Sequence, residues 1–129
     1  MSLALEPTIE RMGPAADNLD GYNDATVYED GTIVRISIRR TDDASYPSGW
    51  RYTFHYGALS PGPETLEDGT IRRYDNAHEQ TKSHELHAAP DPEPTTIEFP
   101  GIEELYERFW DEIPKPRFGP TPEEGENHD

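Results

Sequence analysis

The chain has 129 residues, with 27 Asp and Glu against 11 Lys and Arg, and its formal net charge is −16. This length is sufficient for one domain with a modest core and too short for two ordinary domains. The absence of cysteine excludes disulfides and cysteine-based zinc sites.

Residues 1–22 are predicted to form a weakly ordered N-terminal arm. Pro7, Gly13, Pro14 and Gly21 interrupt it, and its apolar residues follow no sustained period. It lacks the basic region and the long apolar run of a signal peptide, and no later segment approaches membrane-spanning length. We therefore expect a protein that does not contact membranes and stays in the cytoplasm.

Alternation of apolar and polar residues predicts β-strands from residue 25 onward. The first two strands form a hairpin around a turn at 29–31. A long connection at 60–69, rich in Pro, Gly and acidic residues, separates the third strand from the fourth. After the first hairpin strand, the predicted strands cover 32–40, 50–56, 70–75, 84–87 and 95–99.

The strands at 32–40 and 50–56 have two different faces, because successive side chains of a strand point to opposite sides. One face is aliphatic and aromatic and belongs to the core, whereas the other, the arginine face, carries arginines and a histidine. For 70–75 two registers are open, one placing Arg72 and Tyr74 on the arginine face and the other placing Arg73 and Asp75 there. The candidate substrate-binding residues are Arg35, Arg39, Arg51, His55, Arg72 and Tyr74.

A helix follows, because apolar residues recur from Ile102 to Ile113 at spacings of three and four. Pro100 and Gly101 precede the helix and Pro114 ends it. We thus predict an α+β fold, a twisted antiparallel sheet of about four to six strands packed on one face by this C-terminal amphipathic helix. The domain covers 23–113, and the proline-rich acidic segment 114–129 is predicted to be a disordered tail.

A polar segment after the fourth strand concentrates the side chains best suited to catalysis. Three of the five histidines lie between residues 78 and 87, near a lysine, a carboxylate and an amide. Imidazole titrates near neutral pH and is the commonest metal ligand. Cleavage of RNA by its own 2′-hydroxyl requires a base, an acid and a cation near the phosphate, and these side chains could supply all three. The candidate catalytic residues are Asp75, Asn76, His78, Lys82, His84 and His87.

The same segment admits two other interpretations. The histidines, together with Asp75 or Glu85, form a set suited to zinc or another divalent ion, although no HExxH motif is present. Histidines in polar loops are also commonly solvated surface residues, and an Asp-Asn pair after a strand is commonly a turn element. The catalytic hypothesis requires neither a metal nor any other cofactor.

The arginine face also has two interpretations, since it could contact RNA phosphates or pair with the abundant carboxylates. An acidic, lysine-poor composition is typical of proteins from extreme halophiles, because in molar salt the Debye length is about 3 Å and self-repulsion is weak. In such salt the net charge does not exclude nucleic-acid binding.

Two short motifs are the most specific part of the sequence: Arg73-Tyr74-Asp75-Asn76 at the end of the fourth strand, and Lys82-x-His84-x-x-His87 after it. With the order of strands and the final helix, they resemble the TumE-type toxins of prokaryotic toxin–antitoxin modules, including haloarchaeal relatives. Asp75, Asn76, Lys82, His84 and His87 match the motif position by position. Ser83 stands where a glycine is common, and the connection at 60–69 is longer than usual.

The resemblance implies a toxin encoded beside a DNA-binding antitoxin and acting on RNA or translation. We hypothesise the toxin component of a type II module, a ribonuclease whose partners are RNA and a cognate helix-turn-helix antitoxin. His84 or His87 would be the general base or acid, Lys82 would neutralise the phosphate, and Asp75 and Asn76 would organise the turn. The alternatives are a non-catalytic protein-binding module of a halophile and a metal-dependent hydrolase.

Overall fold

The computed structural model describes residues 16–76 and 83–120, and it contains one six-stranded sheet in which all neighbours are antiparallel and follow chain order. A helix, Ile102–Glu112, packs on one face of this sheet. The predicted α+β architecture is therefore confirmed. The strands are β1 Asn23–Val27, β2 Thr32–Arg40, β3 Trp50–Ala58, β4 Thr70–Asp75, β5 Glu85–Ala88 and β6 Thr95–Thr96.

The pairing of β2 with β3 is the longest in the sheet, and it shows the two different faces of the sheet. Both strands have nine residues, and Ile36 is paired with Phe54 while Arg35 is paired with His55. Ile36 and Phe54 are fully buried. Because side chains alternate along a strand, the arginine and the histidine face away from the core. The polar faces predicted for these two strands are thus the ones observed.

The core lies between this sheet and the C-terminal helix. Phe109 of the helix stacks on Phe54 with ring centroids 5.6 Å apart, and Tyr106 lies 6.2 Å from the same ring. The helix starts after Gly101, whose φ of 111° favours glycine, and the chain turns extended at Ile113 before Pro114. Each fully buried side chain of this kind contributes about 1.5–3 kcal/mol.

The candidate substrate-binding set assumed a register of β4 with Arg72 and Tyr74 on the arginine face, and the observed register is the other one. Tyr74 pairs with Phe54 and is 2% exposed, so Tyr74 and Arg72 lie on the helix side. Placing Arg72 and Tyr74 on the arginine face was wrong, and Arg73 and Asp75 lie there instead. The physical reason is a bulge: Gly57 pairs with Thr70 but Tyr56 pairs with Arg72, so Ile71 interrupts the strict alternation.

The described ends of the chain also contact the core. Residues 16–19 are helical, and Leu19 is 1% exposed within the hydrophobic cluster. At the other end Arg117 pairs with Glu107 at 2.9 Å, and Phe118 packs edge-on against Trp110. Among the described residues no helix is long and apolar enough to cross a membrane. Residues 1–15 and 121–129 of the predicted arm and tail lie outside the described part.

Removing the ring that joins helix and sheet should reduce stability strongly. We expect Phe109→Ala to lower the free energy of unfolding by about 3–5 kcal/mol, because it leaves a cavity in a closely packed core. Leu59→Ala is the control, since Leu59 is 57% exposed and its loss should change stability by no more than about 0.5 kcal/mol. Urea denaturation of both variants measures the difference, and equal midpoints would contradict the packing of Phe109 against the sheet.

Candidate functional site

Three neighbouring strands bring two imidazoles and a guanidinium into one row on the arginine face. His55 of β3 is paired with Arg73 of β4, which is paired in turn with His87 of β5. Directly opposed residues of antiparallel strands have Cβ atoms about 4.5–5.5 Å apart. The arginine therefore lies between the two histidines. We call these three residues the His–Arg–His row.

Carboxylates in the adjacent row contact the His–Arg–His row. Asp75 is paired with Glu85 across β4 and β5. The Asp75 Oδ2 atom lies 2.8 Å from Arg73 Nε, and Glu85 Oε1 lies 3.5 Å from His87 Nε2. Asp75 thus holds the guanidinium in position along the strand, and the two carboxylates are suited to balance a positive charge on the His87 ring.

The environment of His55 favours the neutral imidazole. Burial lowers the pKa of His55, and the positive charges of Arg73 and Arg35 lower it further, although Asp68 acts in the opposite direction. The ring occupies space that a side chain at position 57 would need: a Cβ atom on Gly57 would lie 2.8 Å from His55 Nε2 and 2.7 Å from the carbonyl oxygen of Gly69. Gly57 therefore allows this ring and the facing backbone to approach.

A cleft gives access to Arg73 and His87 of the row. It has a volume of about 520 Å³ and is lined by Arg73 and His87, by Thr65–Asp68 of the long connection, and by Pro90 and Pro92. Asp68 Oδ2 reaches within 3.5 Å of Arg73 Nη1. Because a cationic group and an imidazole line the same cleft, an anionic ligand placed there would contact both.

The structure does not bring His84 and His87 together. His84 immediately precedes β5 and its ring lies on the helix side, where it stacks on Phe99 with centroids 4.5 Å apart. Its Nδ1 atom is 2.8 Å from the hydroxyl oxygen of Tyr52. Burial lowers the pKa of His84. His87, by contrast, belongs to the arginine face, as expected for positions three apart in extended chain.

Asn76 also lies on the helix side, where it connects β4 to β3. Its side-chain amide donates a hydrogen bond to the carbonyl oxygen of Trp50 at 2.8 Å, and its Oδ1 atom accepts one from the Tyr52 N–H at 3.1 Å. The residue is 1% exposed. These bonds continue the pairing beyond the end of β4. Lys82 and His78, the other two candidate catalytic residues, lie outside the described part of the chain.

The same region contains a set of atoms that could bind a divalent ion. One ligand atom each from Asp75, Glu85 and His87 lie within 4.8 Å of one another. A histidine with two carboxylates suits zinc and several other divalent metals. The Arg73 guanidinium, however, already pairs with Asp75 and would repel a cation. Chemically, the arrangement fits a bound anion above Arg73 better than a cation beside it.

Sequence reasoning found part of this arrangement. Arg35, Arg39, Arg51 and His55 do lie on the arginine face. Arg73 was missed as a central residue, although the alternative register for 70–75 contained it together with Asp75. The signal that could have selected that register is Tyr74, because a large aromatic side chain in a strand opposite Phe54 gains most by facing the core.

The chain matches the family model described as Toxin TumE over residues 11–117. Searches of curated proteins and of solved structures gave no match. Because the family match spans most of the chain, the chain belongs to the TumE toxin family. It is thus the toxin component of a toxin–antitoxin system, and membership implies an antitoxin as its partner.

The hydrogen bonds of Asn76 predict that this residue contributes to stability rather than to chemistry. We expect Asn76→Ala to lower the free energy of unfolding by about 1–3 kcal/mol, because it leaves the buried Tyr52 N–H without its acceptor. Urea unfolding tests this. Loss of toxicity in a variant of unchanged stability would instead assign Asn76 to the chemistry.

Proposed function

We propose that this TumE-family toxin cleaves RNA on the arginine face and that the His–Arg–His row is its catalytic centre. The observation that carries the proposal is the placement of two imidazoles on either side of a guanidinium, beside a cleft of about 520 Å³. Attack by the RNA 2′-hydroxyl requires a base, an acid and a fixed positive charge, and this row supplies one of each.

The reaction is an internal transesterification that consumes no co-reactant. A base removes the proton of the 2′-hydroxyl, and the 2′-oxygen forms a bond to the neighbouring phosphorus. The bond between phosphorus and the 5′-oxygen breaks, and an acid protonates this leaving oxygen. The products are a 2′,3′-cyclic phosphate and a 5′-hydroxyl. Negative charge builds up on the phosphoryl oxygens in between, where a guanidinium stabilises it.

The surroundings of the two histidines support different roles. His55 has a lowered pKa and is neutral near pH 7, as a general base must be. His87 lies beside the carboxylates of Glu85 and Asp75, which suits a ring that carries and then donates a proton. Arg73, held by Asp75, is the phosphate-neutralising group. In this proposal His84 has no catalytic role, because its ring lies on the other side of the sheet.

We also propose that the antitoxin is a helix-turn-helix protein encoded by the neighbouring gene and that both act in the cytoplasm of a halophile. The acidic composition and the resemblance to haloarchaeal toxins support this. Regulated expression in a halophilic host, with and without the neighbouring gene, tests it. Growth arrest that the neighbour does not relieve would exclude that neighbour as the antitoxin.

Single histidine substitutions distinguish the His–Arg–His row from the catalytic set predicted from the sequence, which included His84. We expect His55→Ala and His87→Ala each to lower the rate of RNA cleavage by about 10²–10⁴-fold, the usual contribution of a general acid or base. His84→Ala is the matched control, since it removes an imidazole from the opposite side of the sheet. The measurements are cleavage of a labelled oligoribonucleotide in dilute buffer and in molar potassium chloride, and toxicity on expression.

Loss of cleavage in His84→Ala with normal activity in the other two variants would overturn the assignment of the row. Toxicity that persists in all three folded variants would favour a non-catalytic binding module. Cleavage by the wild type that stops in a metal chelator and returns with a divalent ion would favour a metal-dependent hydrolase at Asp75, Glu85 and His87.

The pKa of His55 predicts the pH dependence of cleavage. Because this pKa is lowered from 6.5, the base is lost only when the pH falls below about 6.5, and the acid limb of the kcat/KM profile lies there. Arg35 contributes to the lowering, so Arg35→Gln favours the protonated ring and should move the acid limb to higher pH. An acid limb that stays in place would exclude His55 as the base.

A further inference from the structure

Two arginines face each other directly at the end of β2 and the beginning of β3. Arg39 is paired with Arg51, and both are exposed on the arginine face. Like charges opposite each other in a sheet destabilise the strand pair. The arrangement therefore has an energetic cost, which an anion bound between the two side chains would remove.

No carboxylate among the described residues removes this energetic cost. Within 16–76 and 83–120, neither Arg39 nor Arg51 forms an ion pair with a carboxylate, although the chain has 27 acidic residues. The guanidinium of Arg51 lies 5.8 Å from the centroid of the Tyr46 ring. Arg40, one residue along and on the other face, does pair with a carboxylate, that of Asp17 at 2.9 Å.

A second cleft surrounds these two arginines. It has a volume of about 380 Å³, and its lining includes Tyr22, Asn23, Ser37 and Thr53 besides Arg39 and Arg51. Side chains of this kind donate and accept hydrogen bonds, as the sugar and base of a nucleotide require. Two guanidinium groups without a carboxylate partner among the described residues, together with several neutral polar groups, suit a nucleotide phosphate rather than an apolar ligand.

The distance between the second cleft and the His–Arg–His row indicates which phosphate along a bound RNA strand would reach the second cleft. Arg51 and His55 lie four residues apart on the same face of β3, which is about 13 Å along the strand. One phosphodiester linkage does not span this distance. A strand of RNA whose scissile phosphate contacts Arg73 would therefore reach the second cleft with a phosphate beyond the nearest neighbour.

We propose that Arg39 and Arg51 form a second phosphate subsite, which binds the RNA strand at a nucleotide away from the cut. The inference rests on the proposed RNA cleavage and extends it to the length of the substrate. A dinucleotide fills only the His–Arg–His row, whereas a longer single strand also reaches the second cleft. Long substrates therefore bind more tightly than short ones, and the difference comes from these two arginines.

The test compares a short and a long substrate in Arg39→Gln and Arg51→Gln. We expect KM for an RNA octanucleotide to rise roughly tenfold in each variant, the effect of losing one charged contact, while kcat/KM for a dinucleotide stays at the wild-type value. Arg108→Gln is the matched control, because it removes the same charge from the helix, where Arg108 lies 3.8 Å from Glu104. Equal effects on both substrates, or none on the long one, would overturn the subsite.

A binding measurement makes the result independent of catalysis. An octanucleotide of DNA lacks the 2′-hydroxyl and cannot be cleaved by the proposed route, so its affinity reports binding without cleavage. We expect each variant to weaken binding roughly tenfold and to reduce the slope of log K against log salt by about 0.7. If the wild type cleaves no RNA but this loss is observed, the proposed catalysis fails and the subsite is supported. Unchanged affinity and slope in both variants would refute the subsite.

Discussion

The register between β3 and β4 is the constraint on which the arginine face depends. It places Tyr74 under the helix, where its hydroxyl donates to Glu112 Oε1 at 2.7 Å, and Arg72 Nε donates to the same oxygen at 2.7 Å. A slip of one residue would move Arg73 and Asp75 beneath the helix. Burying these charges away from water is costly, and the aromatic ring of Tyr74 would become exposed. Packing on one face thereby selects the residues presented on the other.

The two sequence motifs divide between these faces. Asp75 contacts Arg73 on the arginine face, and its neighbour Asn76 bonds to the backbone of β3 on the helix side. In the same way His87 belongs to the row, and His84 stacks on Phe99 beside Tyr52. Each motif thus contributes side chains to both faces of the sheet. Spacing along the chain could not show this division, because it depends on where extended backbone begins.

The sequence predicted the elements whose patterns are regular. The helix follows from apolar spacing between Ile102 and Ile113, and the two faces of β2 and β3 follow from strict alternation. Strict alternation of side chains could not predict which face of β4 meets the core. Ile71 contacts the core, and Tyr74, three residues later, lies on the same side because the bulge at Ile71 shifts the register. Pairing across strands could not be predicted from the sequence either. His55 and His87 are 32 positions apart, and only the register of β3, β4 and β5 makes both of them neighbours of Arg73.

The long connection before β4 shows how local bonding determines the shape of the cleft. Leu66 N–H donates to the carbonyl of Thr70, and Gly69 N–H donates to the carbonyl of Leu66, so the loop folds back on the start of β4. Asp68 accepts from Thr70 N–H, and this bond is the main cause of its lowered pKa. An ionised carboxylate is thus held near Arg73 at the rim of the cleft. It limits the positive charge there, because Asp68 and Asp75 both pair with the Arg73 guanidinium, and a phosphate bound as proposed would compete with both carboxylates.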